Sequence, residues 1–315
     1  MADCKIITGD CIEGMKTLPG GSVHTCVTSP PYFGLRSYEG GDEEIGQEDT
    51  VDGYVQKMVE VFREVRRILR DDGTLWLNLG DSYMAAKNCS PPPQTIGGQR
   101  GMPTDFIPAN RKDQKGLKGK DLIGIPWRVA LALQADGWWL RQDIVWHKPN
   151  PMPESVTDRC TRAHEYIFML TKKPHYYYDH EAIKEAAVSA PHAPGNKNRT
   201  QPEEKGARDP ALEPERLWGA DGKKNKRSVW TVNTKGYKGA HFAVYPKDLI
   251  LPCILAGSPV GGTVLDPFTG SGTTAVVALN NGRNYVGTEL NPEYVKIAED
   301  RIREEVANSL QGFLA

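Results

Sequence analysis

None of the six cysteines (Cys4, Cys11, Cys26, Cys89, Cys160, Cys253) forms a Cys-x-x-Cys pair. That scatter argues against a structural zinc and against a disulfide framework, and it fits a reducing compartment. The thiols are expected to be ordinary buried or half-buried side chains. No apolar run approaches the length of a membrane span, and Met1-Ala2-Asp3-Cys4-Lys5 carries no signal-peptide pattern. A cytoplasmic protein with no membrane partner is therefore expected. No Gly-Lys-Ser/Thr closes the glycine-rich stretch near the end of the chain, which excludes a P-loop. No internal repeat is present. His147 and His164 have no matching ligand cluster in the sequence, so no metal is expected, and core or hydrogen-bonding roles suit both.

Net charge is also nearly absent, at −1 over 315 residues, which looks wrong for a protein that binds nucleic acid. The charge is unevenly divided. Residues 97–120 hold six Lys and Arg against two Asp, a net +4. Residues 172–240 hold fourteen Lys and Arg against nine Asp and Glu, a net +5. Positive charge gathered into two loop-like segments is the footprint that a phosphate backbone calls for. The apolar fraction of 39% and charged fraction of 25% are those of a folded globular chain. Its length suits one large α/β domain with an insertion, or two domains.

Two stretches carry the chemistry. Val23-His24-Thr25-Cys26-Val27 reads as a buried strand, and Thr28-Ser29-Pro30-Pro31-Tyr32 follows it. Neither proline can donate to a sheet ladder, and each fixes its own φ, so the strand stops in a stiff turn. A carbonyl of such a turn can accept from a planar NH2 group, and the Tyr32 ring can stack on its face. Enzymes that act on an extruded nucleobase need that combination. Far downstream, the short strand Thr263-Val264-Leu265-Asp266 leads into Pro267-Phe268-Thr269-Gly270-Ser271-Gly272-Thr273-Thr274 and then a helical run. Strand, glycine-rich turn and helix form the nucleotide-binding layout of a doubly wound sheet, with free N–H groups at the helix start. A second strand, Asn284 to Thr288, ends at Glu289, where an acid can take both hydroxyls of a ribose.

Together these residues resemble the DNA amino-methyltransferases that use S-adenosylmethionine. Asp266-Pro267-Phe268-Thr269-Gly270-Ser271-Gly272-Thr273-Thr274 is similar to the family's cofactor motif, and Ser29-Pro30-Pro31-Tyr32 to its catalytic motif. The catalytic motif comes first, an order that resembles the β class, in which the target-recognition region lies between the two. The resemblance implies a Rossmann-like methyltransferase fold, a mostly parallel seven-stranded sheet with helices on both faces. It implies double-stranded DNA as substrate and base flipping. It assigns catalysis to Ser29, Pro30, Pro31 and Tyr32. It assigns cofactor contact to Asp10, Cys11, Asp266, Pro267, Phe268, Gly270, Ser271, Gly272, Thr273, Thr274 and Glu289. Asp10 follows Gly9 at the end of a first short strand, and it is equally suited to cap the next helix. A serine at the first catalytic position leans toward N4 of cytosine, with N6 of adenine as the alternative. Methylation of RNA or protein, and a silent DNA-binding role, are further alternatives. A homodimer and a cognate restriction endonuclease are partners that the family suggests.

Three parts follow from this reading: 1–171 as the catalytic part, 172–240 as the target-recognition region and 241–315 as the cofactor-binding part. The spacing predicts a helix over 51–70, a strand over 74–79, a helix over 121–136, and Trp138–Trp146 paired with Glu165–Leu170. The loop after Tyr32, running to Asp49, is expected to cover the active site. Residues 85–120 read as a long loop and are expected to be partly disordered without DNA. Asp81 could border the site or cap a helix. Trp146-His147-Lys148-Pro149-Asn150-Pro151-Met152-Pro153 resembles a family segment that lines the base pocket. Residues 241–256 resemble one that holds the methionine end of the cofactor. Tyr176-Tyr177-Tyr178 and the basic residues beside Trp230 (Lys223, Lys224, Lys226 and Arg227) are candidates for contact with DNA.

Overall fold

The computed structural model describes residues 2–34, 44–85, 114–187, 222–234 and 244–312. The basic run before Gln114, most of the loop after Gly34, Cys89, the middle of 172–240 and His241-Phe242-Ala243 lie outside these residues.

The elements run β1 (Cys4–Thr8), α1 (Cys11–Lys16), β2 (Val23–Thr28), α2 (Val51–Ile68), β3 (Leu69–Leu79), α3 (Ile125–Ala135), β4 (Trp139–His147) and β5 (His164–Thr171). They continue with β6 (Glu185–Ala186), β7 (Lys223–Lys224), β8 (Val229–Thr231), α4 (Lys247–Gly257), β9 (Thr263–Asp266), α5 (Thr273–Asn280), β10 (Asn284–Glu289) and α6 (Pro292–Gly312). Eight strands form one sheet in the order β1-β10-β9-β2-β3-β5-β4-β8. All are parallel except β5, which runs antiparallel to both β3 and β4.

The central strands are buried over most of their length because both faces are covered. Cys26, Leu75, Leu77, Leu265 and Val286 face a core built with α1, α2 and α3. Their neighbours Val27, Trp76, Val264 and Tyr285 face the opposite core, built with α4, α5 and α6. Alternation along each strand thus produces three layers, helices on both sides of the sheet.

Helix α2 shows how sequence sets position. Val51, Tyr54, Met58, Val61, Phe62, Val65 and Ile68 recur at helical spacing and are buried, and Thr50 caps the first turn by accepting from the Gly53 N–H at 3.0 Å. The helix stops at Ile68, two residues short of the expected end. Leu69 turns extended at φ −65° and ψ 141° and pairs with Val23, so β3 begins there. The sequence Asp71-Asp72-Gly73 lies in a bulge inside that strand pairing. Helix α3 starts at Ile125, four residues later than periodicity suggested, because Gly124 sits in the left-handed region at φ +79°.

The sheet has eight strands where seven were expected. The eighth, β8, comes from the proposed target-recognition segment and pairs with β4, and Trp230 within it is buried in the sheet's core. The Trp146 indole donates to the Val232 carbonyl at 2.8 Å, which fastens this edge. The other end of the segment also belongs to the main domain. Tyr178 stacks on Trp76, and the Arg141 guanidinium lies over Tyr176. The Tyr177 N–H donates to the Asp72 carbonyl, near the amino end of β3. The tyrosine cluster therefore sits on the rim opposite the carboxyl ends of the parallel strands, which corrects its expected place among DNA contacts. Two cysteines, Cys4 and Cys160, are exposed, unlike the buried Cys11, Cys26 and Cys253.

Candidate active site

The carboxyl ends of β1, β10, β9, β2 and β3 line one rim, the place where open α/β sheets bind ligands. Sheet pairing brings the two sequence motifs together there. Strand β2 lies directly beside β9, with Thr25 opposite Val264 and Cys26 opposite Leu265. At the strand ends the Thr28 hydroxyl donates to Asp266 at 2.6 Å. The two stretches, joined here by a buried bond between residues 238 apart in the chain, meet at this rim.

Asp266 is 1% exposed. Its carboxylate accepts from Thr28 and the Phe268 N–H on one oxygen, and from Thr274 and Tyr245 on the other. Burial pushes its pKa up to about 6, against the pull of these donors. Asp266 faces inward and organises the turn. Gly270 and Gly272 take left-handed φ values of +51° and +75°. A Cβ on Gly272 would also stand 3.2 Å from Ala298 and 3.3 Å from Ile302, so α6 closes on this turn only over a glycine. Arg301 on α6 fastens the turn by donating to the Ser271 carbonyl and hydroxyl and to Thr273.

Glu289 stands at the end of β10. One oxygen accepts from the Gly270 N–H at 2.8 Å and the other from the Asn291 N–H at 3.1 Å. Burial raises its pKa, and these amide bonds oppose the shift. Each oxygen retains a lone pair, so the carboxylate fits a donor such as a sugar diol. Asp10 lies next to it, since Thr8 pairs with Glu289 and the Gly9 N–H donates to the Glu289 carbonyl. Its side chain caps α1 through the Glu13 N–H at 2.9 Å. Cys11 is buried behind it, and burial followed by the Asp10 charge pushes the thiol up to about 12. Asp81, by contrast, caps α3 through the Gly124 and Ile125 N–H groups.

The Ser29-Pro30-Pro31-Tyr32 turn leaves β2 at the same rim. Tyr54 donates to the Pro31 carbonyl at 2.9 Å and locks the second proline. The Tyr32 ring packs on Gly80, where a Cβ would run into it. Its hydroxyl points inward and donates to Glu165 at 2.8 Å. Burial first, then the Glu165 charge, drives this phenol well above its ordinary pKa. Ser29 Oγ lies 3.5 Å from the phenol oxygen. Lys148 pairs with the other oxygen of Glu165, and its ammonium sits 4.3 Å over the Trp146 ring. Asn78 donates to Glu165 and to the Tyr166 carbonyl.

Sequence reasoning missed Glu165, Asn78, Tyr245 and Arg301. Glu165 had a signal, a lone acid at the start of a buried strand paired in register with Trp146 of the Trp146–Pro153 segment. The two histidines act structurally. His147 bonds Thr231, and His164 packs edge-on against Tyr166. Among the described residues no group of three or more His, Cys, Asp or Glu could hold a metal, and no helix is long and apolar enough to cross a membrane. Cys253 follows a proline, the context of some thiol nucleophiles, but it is fully buried in α4 and burial raises its pKa. Cys26 is buried likewise and its pKa lies well above the usual value. Neither is a thiolate near neutral pH.

The family model for N6/N4 DNA methylases matches residues 23–300. Type II methyltransferase M.Cfr9I of Citrobacter freundii is 48% identical over 307 residues, covering 97% of this chain and 90% of its own. Type II methyltransferase M.SmaI of Serratia marcescens is 47% identical, covering 96% and 91%. A candidate DNA modification methylase of Thermus thermophilus, solved with S-adenosyl-L-methionine, superposes with a TM-score of 0.60 at 24% identity, covering 96% and 94%. The cytosine-N4-specific PvuII DNA methyltransferase superposes at 0.62 with 18% identity, covering 99% and 94%.

Proposed function

The chain belongs to the N6/N4 DNA methylase family, and on that premise we propose that it methylates N4 of a cytosine flipped out of duplex DNA. It is a DNA methyltransferase of the Type II kind, and S-adenosylmethionine is its cofactor. The observation that carries the finer reading is the serine at the head of the Ser29-Pro30-Pro31-Tyr32 turn, in a β2 end bonded to the cofactor motif through Asp266. The cofactor supplies the methyl group on an electrophilic sulfonium.

The residues of this chain do the rest. An exocyclic amino nitrogen is a weak nucleophile because its lone pair is delocalised into the base. Ser29 Oγ and the Pro30 carbonyl accept its two hydrogens, which favours a pyramidal nitrogen with its lone pair aimed at the methyl. Pro31, held by Tyr54, and Tyr32, held by Glu165, stiffen the clamp and offer the Tyr32 ring as a stacking face. Positioning of this kind contributes several kcal/mol, roughly, in well-oriented systems. The nitrogen becomes cationic during transfer, and acceptors around it stabilise that charge. Glu289, Asp10, Cys11 and the turn Pro267-Phe268-Thr269-Gly270-Ser271-Gly272-Thr273-Thr274 hold the cofactor, and Asp266 sets the turn from beneath.

The basic segments 97–120 and 172–240 would contact the DNA, with target recognition in the second. A cytoplasmic setting, a homodimer and a cognate endonuclease belong to the same reading. Nucleoside mass spectrometry of mixed-sequence DNA incubated with the protein and methyl-labelled S-adenosylmethionine tests it. Labelled N4-methylcytosine is expected. Labelled N6-methyladenine would keep the enzyme and overturn the base assignment.

A further inference from the structure

The Tyr32 hydroxyl has one proton and three polar neighbours: Glu165 at 2.8 Å, Asn78 Oδ1 at 3.4 Å and Ser29 Oγ at 3.5 Å. Glu165 wins that proton on distance and on charge, because a carboxylate only accepts. Two arrangements hold it in that role. Lys148 pairs with its other oxygen, in a setting where both side chains are less than one-fifth exposed. Asn78 turns its NH2 to Glu165 and to the Tyr166 carbonyl, so Asn78 presents its carbonyl oxygen to the phenol.

With its proton committed to Glu165, the phenol oxygen can only accept from Ser29. The Ser29 hydroxyl then points its hydrogen inward and its lone pairs outward. We propose that Glu165 is a positioning residue that fixes the hydrogen-bond direction of the whole Lys148–Glu165–Tyr32–Ser29 chain, and so makes Ser29 an acceptor for the target amino group. The proposal rests on the clamp reading above and gives it a cause. A serine hydroxyl can face an N–H as donor or as acceptor, and nothing in Ser29 itself selects. The selection comes from an anion two hydrogen bonds away, on a strand that begins 132 residues after the catalytic turn ends. The 3.5 Å gap between Ser29 and Tyr32 belongs to the protein without substrate, and such contacts tighten when the reacting group arrives.

Glu165→Gln keeps size and removes direction. Lys148 only donates, so the glutamine oxygen turns to it and the NH2 faces Tyr32. The phenol then accepts from that NH2, and its own proton moves toward Asn78 or Ser29. Ser29 loses its fixed acceptor. The expected result is a fall in kcat of about tenfold, the equivalent of one hydrogen bond's worth of orientation. KM for DNA should change far less, and cofactor affinity by calorimetry should stay at the wild-type value, which also reports folding.

Three further variants locate the effect. In a Ser29→Ala background, Glu165→Gln should cost nothing more, because the group it orients is gone. Tyr32→Phe, which removes one oxygen and keeps the ring, should lower kcat several-fold. Adding Tyr32→Phe to Glu165→Gln should recover part of the loss, because the misdirected hydroxyl disappears. Wild-type kcat in Tyr32→Phe, or a Glu165→Gln loss that multiplies fully with that of Ser29→Ala, overturns the proposal. If Ser29→Ala turns over at the wild-type rate, the clamp reading itself is wrong, a result distinct from an impaired Ser29→Ala with an unaffected Glu165→Gln.

Discussion

Replacing Asp266 by Asn tests whether the joint between the two motifs is an ionised carboxylate held in a dry site. Its folded pKa of about 6 lies above the ordinary 3.8, so between these values the folded protein keeps a proton that the unfolded chain has released. Stability from this group is therefore fully present below 3.8, falls as pH rises, and is gone above about 6. Each pH unit in that window is worth about 1.4 kcal/mol, so the fall between about pH 4.5 and 7 is about 2 kcal/mol. The variant lacks the titration. It also changes the bonding, and the structure says on which side. The Phe268 N–H cannot rotate away, so the amide must keep its oxygen there and turn its NH2 to the hydroxyls of Thr274 and Tyr245, which can rotate. The protonated wild-type carboxyl must make the same turn, so at about pH 4.5 the two proteins are bonded alike. Urea unfolding of both proteins without cofactor, followed by tryptophan fluorescence from about pH 4.5 to 7.5, measures the difference. The stability of the wild type relative to Asp266→Asn should fall by about 2 kcal/mol from about pH 4.5 to 7. A difference that is constant, or that moves in favour of the wild type as pH rises, would refute the reasoning.

Ser29→Ala should lower kcat with little change in cofactor affinity, and Tyr32→Ala should lower it further because stacking is lost as well. Single-turnover methylation of labelled DNA measures both. Glu289→Ala should weaken S-adenosylmethionine binding about tenfold to a hundredfold, since hydrogen bonds to a charged group are worth roughly 1.5–3 kcal/mol. Calorimetry decides it, and unchanged affinity would remove Glu289 from the cofactor site. Arg301→Met should lower the thermal midpoint and weaken cofactor binding together, although Arg301 lies beneath the turn. It leaves the Ser271 carbonyl and the Thr273 hydroxyl without their donor, a loss of roughly 1–3 kcal/mol, while Glu305 keeps Lys247 as its partner. An Arg301→Met protein that melts early yet binds the cofactor normally would show that the turn holds its shape unaided.

Much of this was readable from the chain because the informative residues are contiguous. A strand followed by two prolines, or by glycines at 270 and 272, announces a turn at a strand's end, and the sheet does place both turns on one rim. What failed depended on contacts distant in sequence. Tyr176-Tyr177-Tyr178 beside lysines reads as a nucleic-acid surface until contacts with β3 and α4 draw it to the opposite rim. Asp266 reads as a ligand contact by its position after a strand, yet four internal donors claim it. Glu165 is one acid among many until β5, the antiparallel strand, delivers it under Tyr32. Period and composition fix which face of an element is buried. They carry no information on which distant side chain meets it there.

The order of the motifs bears on how such a rim is assembled. In a parallel sheet a strand's neighbours are chosen by pairing, and the helices that return the chain place few limits on which strand comes first. Strands β1 and β2 are early, β9 and β10 late, and yet they interleave as β1-β10-β9-β2. Half of this rim is thus built from strands early in the chain and half from strands late in it. The Ser29-Pro30-Pro31-Tyr32 turn sits beside β9 only because the late strands lie between β1 and β2. A chain truncated before Thr263 would lack both the strand that pairs with β2 and the Asp266 carboxylate that accepts from Thr28.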